Sequence, residues 1–229
     1  MASAKHTVLL LGASRGLGLG LAREYLSRGW RVIATARDNA KNLETLASET
    51  KGDLRIERVD IADADGVAEL RAALKDEKLD LLFVVAGISG SVPAPLHEVS
   101  PDEAARVWLT NAYYPIVAAE AFVDLLKRKA TIAFMSSRLG SIELNDYGSW
   151  ETYRISKAAL NMGSRSFFHR HADHAVLSVS PGWVKTDMGG SSATFDVETS
   201  CRNVANAIGK HAGKAGHRYV NYDGEELPW

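Results

Sequence analysis

Short runs of strand length, apolar almost throughout, alternate with stretches of helical periodicity along this chain, and that alternation leaves few architectures open. Thr7-Val8-Leu9-Leu10-Leu11 is the first such run. A strand with one wet face would alternate polar and apolar residues, whereas a parallel strand covered on both faces does not. Similar runs stand at 31–36, 79–86, 130–135 and 175–180, with a further predicted strand at 54–59 and a weaker one at 218–221. Residues 16–28 carry Leu17, Leu21, Ala22, Tyr25 and Leu26 at helical spacing and close on Gly29. Further helices are predicted near 43–50, 63–76, 100–129, 151–170 and 197–210. Ser100-Pro101-Asp102-Glu103 opens the long one with a capping hydroxyl, a proline in the first turn and acids at the positive end of the dipole. The alternation predicts an α/β fold: a Rossmann-type doubly wound parallel sheet of about seven strands, with helices on both faces and right-handed crossovers. No repeat, low-complexity tract or linker interrupts the 229 residues, so 1–229 reads as a single domain.

The bulk numbers narrow the partners. Apolar residues make up 46% and charged ones 24%, a balance that excludes a disordered or fibrous chain. A net charge of −1 gives no field that would gather nucleic acid or an anionic membrane, and no apolar stretch approaches the roughly twenty residues of a membrane span. The one cysteine, Cys201, has no internal disulfide partner and reads as a small core residue. Together with a short polar start, that makes the cytoplasm the expected compartment. His169, His171 and His174 lack acidic or thiol partners at metal spacing and read as a solvated helix end, so no metal is expected.

In a doubly wound sheet, ligands bind beyond the carboxyl ends of the strands. Gly12, Asp60, Gly87, Ser136, Ser137 and Pro181-Gly182 all fall at such ends. The turn Gly12-Ala13-Ser14-Arg15-Gly16-Leu17-Gly18 divides its work among three glycines. Gly12 permits the bend, Gly16 lets the backbone approach a pyrophosphate, and Gly18 allows close packing of the helix. Its G-x-x-x-G-x-G spacing differs from the common dinucleotide fingerprint. At the end of the second predicted strand, an acid would bind a ribose 2′-hydroxyl, whereas arginine would recruit a 2′-phosphate. Ala36 stands where that acid would be, Arg37 follows, and Arg15 lies in the glycine turn, so NADP(H) is expected. Either arginine could instead be a plain surface charge, and Asp38 could pair with Arg37 or accept a ribose bond itself.

Tyr153 and Lys157 stand four residues apart on a predicted helix and therefore share a face. A phenol titrates near about pH 10, and an adjacent ammonium favours its ionised form, which brings it closer to the range where a general acid or base works.

With these residues placed, the chain resembles the short-chain dehydrogenases/reductases over its whole length. Tyr153 to Asn161 (YRISKAALN), Pro181 to Gly190 (PGWVKTDMGG) and Asn221 to Trp229 (NYDGEELPW) look like the C-factor and sniffer-type carbonyl reductase branch. The resemblance implies an NADPH-dependent reduction of a ketone or aldehyde, with Tyr153 as acid/base and Lys157 both lowering its pKa and holding the nicotinamide ribose. Ser137, rather than Ser136, would polarise the substrate carbonyl, and Asn111 would hold a water in the proton relay. Ser14, Arg15 and Leu17 would serve the cofactor with the three loop glycines, Asp60 and Ile61 the adenine, and Ala86 and Gly87 its ribose. Pro181, Gly182, Val184 and Thr186 would serve the nicotinamide. Read without the family, Asn111, Ser137, Asp60 and Thr186 could equally be helix-surface, loop or capping groups. The alternative function is a dinucleotide-binding signalling protein with incidental redox activity. A homodimer or homotetramer is a family expectation, through the helices at about 102–129 and 151–170.

Two departures from the family bear on stability. Val84-Val85 replaces the usual pair of asparagines before Ala86-Gly87, and Leu11 replaces a threonine before Gly12, so backbone groups near the turn are expected to lose partners. Ser137 also lies sixteen positions before Tyr153, a longer gap than the family's, which predicts a segment 138–150 bulging over the pocket.

Overall fold

The structure is a computed structural model that describes residues 5–50, 52–91 and 93–229. Its strands are β1 (Thr7–Leu11), β2 (Arg31–Ala36), β3 (Leu54–Arg58), β4 (Leu79–Val84), β5 (Leu126–Met135), β6 (Ala175–Ser180) and β7 (Gly216–Asn221). They form a parallel sheet in the order β3-β2-β1-β4-β5-β6-β7, the doubly wound arrangement. The strand order reverses between β1 and β4, and the crevice at that point is where the glycine turn emerges.

Side chains along a strand alternate between faces, so each apolar run supplies two cores. Val8, Leu10, Val32, Ala34, Leu81 and Phe83 pack with α1 (Gly16–Ser27), α2 (Lys41–Ser48) and α7 (Val197–His211). Leu9, Leu11, Ile33, Leu82, Val84 and Phe134 pack with α3 (Ala64–Ala73), α5 (Tyr114–Ala121) and α6 (Glu151–Arg170). Cys201 lies in the first core, where burial pushes its thiol up to about 12.

The long helix expected over 100–129 is broken. α4 (Pro101–Trp108) passes through a π-helical turn at Leu109–Tyr113 into α5, and a 3₁₀ turn at Val123–Leu125 then leads directly into β5. Leu79 pairs with Leu126 and Leu81 with Thr131, so Lys127, Arg128, Lys129 and Ala130 bulge out opposite the single residue Asp80. The charged run that read as a continuing helix is this bulge, tied down by Lys127 Nζ donating to Asp80 at 2.7 Å. The histidines also differ from expectation. His171 Nε2 stands 2.6 Å from Glu120, and His174 Nδ1 lies 3.3 Å from the Ala130 carbonyl. Their partners come from α5 and β5, distant in sequence. Among the described residues, no helix is long and apolar enough to cross a membrane.

Candidate active site

β1 delivers the chain to Gly12, whose φ of +92° and close approach to Ala86, just past β4, both require glycine. A Cβ there would lie 2.8 Å from that of Ala86. At Gly18 a Cβ would stand 2.1 Å from the Gly12 carbonyl oxygen, so the helix start is pressed onto the turn as the sequence predicts. The lost partners expected from Leu11 and Val84-Val85 are supplied locally. Gly12 N donates to Thr35 Oγ1 at 2.9 Å, and the Leu11 carbonyl accepts from Val85 N and Ala86 N at 2.9 and 3.1 Å.

α1 begins at Gly16, its N-cap Arg15 makes no side-chain capping bond, and its first turn holds no acid. The first-turn N–H groups of Gly16, Leu17 and Gly18, beside Ser14, therefore present positive potential with no carboxylate competing for it, which fits a pyrophosphate. Thr186 closes the other side, its Cγ2 lying 3.7 Å from where a Gly16 Cβ would be. Arg15 pairs with Asp187 across this opening, and both side chains are largely exposed. An exposed pair of this kind contributes little and exchanges readily for a stronger anion.

At the end of β2, Arg37 is exposed and bonds Asp38 at 2.9 Å, with Asp60 at 3.7 Å. Asp60 Oδ1 accepts from Ala62 N at 2.9 Å, which fixes the turn that carries Ile61, and Asp63 caps α3. Arg58 carries no local signal in the sequence. It ends β3 in register with Ala36 and donates to the Asp38 carbonyl, so a second guanidinium stands beside Arg37. Only the β2–β3 pairing reveals it.

The catalytic candidates converge from three elements. The π turn buries Asn111, whose amide accepts from Ile88 N and donates to the Ile88 carbonyl, both at 2.8 Å, and donates to Ser156 Oγ at 2.9 Å. Such turns recur at functional sites. A Cβ at Gly87 would lie 3.2 Å from Asn111 Oδ1 and 3.4 Å from Lys157 Nζ, which shows how closely these three gather. Ser137 follows β5 and accepts from Leu139 N at 3.2 Å, leaving its hydroxyl proton free to donate. Tyr153 and Lys157 project from the first turns of α6, both buried.

The electrostatics differ from the simple expectation. Lys157 Nζ donates to the Met135 carbonyl at 2.8 Å and lies 5.7 Å from the centre of the Tyr153 ring. Burial pushes Tyr153 up to about 12, with a hydrogen bond from Ser137 pulling the other way, and burial pushes Lys157 down to about 7. In the protein alone, loss of water is the largest influence on both groups.

Around these groups, Pro181 is buried and Gly182 (φ +78°) lies against the Phe195 and Tyr222 rings, where a Cβ would come within 2.9 Å. Val184 is buried and forms a bridge with Phe195, and Thr186 Oγ1 accepts from Gly189 N at 3.1 Å, the capping role open to it. After a 3₁₀ turn at Arg138–Gly140, residues 141–149 run irregularly with Ile142 and Tyr147 exposed. The segment ends at Trp150 in the left-handed region (φ +65°), its ring edge-on to Tyr153 at 6.0 Å.

A parallel sheet whose carboxyl edge gathers a glycine turn, a serine and a buried Tyr-Lys pair defines a nucleotide-dependent oxidoreductase site. Residues 6–196 match the family described as short chain dehydrogenase, and the chain belongs to it. It is similar to a short-chain dehydrogenase/reductase from Burkholderia multivorans solved with bound NADP, at 39% identity over 99% of this chain and 100% of that one, with a TM-score of 0.95. The carbonyl reductase Sniffer of D. melanogaster shares 35% identity over 99% of this chain and 100% of its own, with a TM-score of 0.88. The C-signal protein of Myxococcus xanthus is 36% identical over 155 residues, 66% of this chain and 93% of that protein.

Proposed function

We propose that this oxidoreductase reduces a ketone or aldehyde to an alcohol with NADPH. The observation that carries the reading is the convergence of Ser137, Tyr153, Lys157 and Asn111 beside a glycine turn whose helix start is free of acids. NADPH, when bound, supplies the hydride that reaches the carbonyl carbon. Tyr153 gives its proton to the carbonyl oxygen and later recovers one from solvent. Ser137 donates to the same oxygen, and Asn111 and Lys157 fix the ground beneath both. Mixing the protein with NADPH and a panel of aldehydes, ketones and quinones tests this directly. NADPH consumption with stoichiometric alcohol supports it, and tight NADPH binding without turnover of any member points to a signalling protein like the C-signal relative.

We assign the 2′-phosphate to Arg37 and Arg58. Each charge-assisted bond contributes roughly 1.5–3 kcal/mol, so replacing either with Ala is expected to weaken NADPH binding about tenfold or more. NADH binding should stay within about twofold, since it lacks that phosphate. Fluorescence titration of both nucleotides reads the difference, and an equal loss for both would reject the assignment. The remaining partner we propose is a second copy of the chain, packed on the exposed apolar residues Leu109, Tyr113, Val117, Ile155 and Met162 of the α4–α6 face. Light scattering of wild type and Met162→Glu reads this: a dimer or tetramer that dissociates in the variant supports it, and a monomeric wild type rejects it.

A further inference from the structure

The end of β5 is gripped residue by residue. Lys157 Nζ bonds the carbonyl of Met135, Ser136 Oγ donates to Asn161 Oδ1 at 2.8 Å, and Tyr219 Oη donates to the carbonyl of Ser137. Two of these grips come from α6, which also carries the phenol. The third comes from β7, two strands away across the sheet. Tyr219 is 1% exposed, and its ring stacks on Trp229 at 5.2 Å. The Trp229 carbonyl in turn accepts from Ile142 N and Glu143 N at 3.0 and 3.2 Å, within the segment that follows Ser137. The phenol is therefore held on one side by its stack and spends its only proton on one backbone carbonyl.

We propose that Tyr219 is a positioning residue for Ser137: its hydroxyl fixes the peptide from which the serine reaches both the substrate oxygen and Tyr153. The proposal rests on the carbonyl-reductase reading above. Removing one oxygen atom, as in Tyr219→Phe, leaves the ring and its stack in place, so the fold is retained while the carbonyl of Ser137 loses its donor. Substrate polarisation depends on donor placement, and an ångström of misplacement costs up to about 10²-fold, so a partial loosening is expected to lower kcat about tenfold with KM changed less.

The same loosening weakens the bond by which Ser137 favours ionised Tyr153. The phenol should therefore titrate at higher pH in Tyr219→Phe. The other charged or titratable groups around it, Lys157 and Arg154 on α6, Arg138 on the 3₁₀ turn and Tyr219 itself on β7, either stay as they are or lose no charge.

The deciding measurement is a cycle with Ser137→Ala. If Tyr219 acts through Ser137, Tyr219→Phe costs about tenfold in the wild-type background and less than about twofold in Ser137→Ala. An equal factor in both backgrounds, or none in the wild type, overturns the proposal. Ultraviolet difference titration of Tyr153, assigned by the signal that Tyr153→Phe removes, needs no turnover. An unmoved titration in Tyr219→Phe overturns the proposal, whereas a wild type that reduces no carbonyl overturns the parent reading and leaves this titration to decide the role of Tyr219.

Discussion

Tyr153→Phe is expected to lower carbonyl reduction by about a thousandfold, the middle of the ~10²–10⁴ that a positioned general acid supplies. On the proposed mechanism, the change removes the hydroxyl that protonates the substrate oxygen and little else. The ring is buried and rests edge-on against Trp150, contacts that phenylalanine reproduces. The glycine turn, Arg37 and Arg58 are untouched, so NADPH binding should stay within about twofold, a change too small to reflect a lost charge-assisted bond. Stopped-flow turnover beside nucleotide titration makes the comparison. Turnover equal to wild type would remove Tyr153 from the chemistry, and a parallel collapse of NADPH binding would show that its part is structural.

Lys157→Met is expected to abolish a rise of stability with pH in the nucleotide-free protein. Burial holds the Lys157 ammonium down from its ordinary 10.5 to about 7. Between those values the unfolded chain binds a proton that the folded chain has released, so unfolding becomes harder as pH rises through this window and easier as pH falls toward 7. Each unit corresponds to about 1.4 kcal/mol, giving a gain of roughly 2 kcal/mol between about pH 7 and 9. Above that range Cys201, Tyr153 and other buried acids act in the opposite sense, because their folded forms are raised and resist ionising. Urea midpoints measured across the lower window should climb for the wild type and stay flat for the variant. A wild-type profile flat from pH 7 to 9 would mean that water reaches the ammonium.

The parts of this molecule that could be read from the sequence are those set by local spacing. The β1, β2 and β6 runs and the bounds of α6 follow from periodicity, because a strand buried on both faces and a helix with one buried face each leave a pattern that a few neighbouring residues carry. The Tyr153–Lys157 pair and the glycine turn are likewise local. The break at Leu109–Tyr113 is not, because the residues of a π turn have ordinary helical propensity and only packing of Asn111 against Ile88 selects the wider turn. Arg58 and Tyr219 stayed hidden for a related reason. Each reaches the site by strand pairing, one beside Ala36 and the other across β6, and nothing near it in the sequence marks that neighbour. The burial of the pair was not legible either, because i,i+4 spacing says that two groups are near each other but not that both are dry.

The widened turn between α4 and α5 carries a cost for anyone who would make this protein sturdier. It inserts one residue into what would otherwise be a continuous helix, and so sets the two halves out of phase. Deleting that residue to regularise the rod would swing Asn111 away from Ile88 and Ser156, and would roll the outward-facing Tyr113 and Val117 toward the sheet. Gains in helical order would therefore be taken from the floor of the candidate site, and any scheme that ranks variants by melting temperature alone would select against this irregularity.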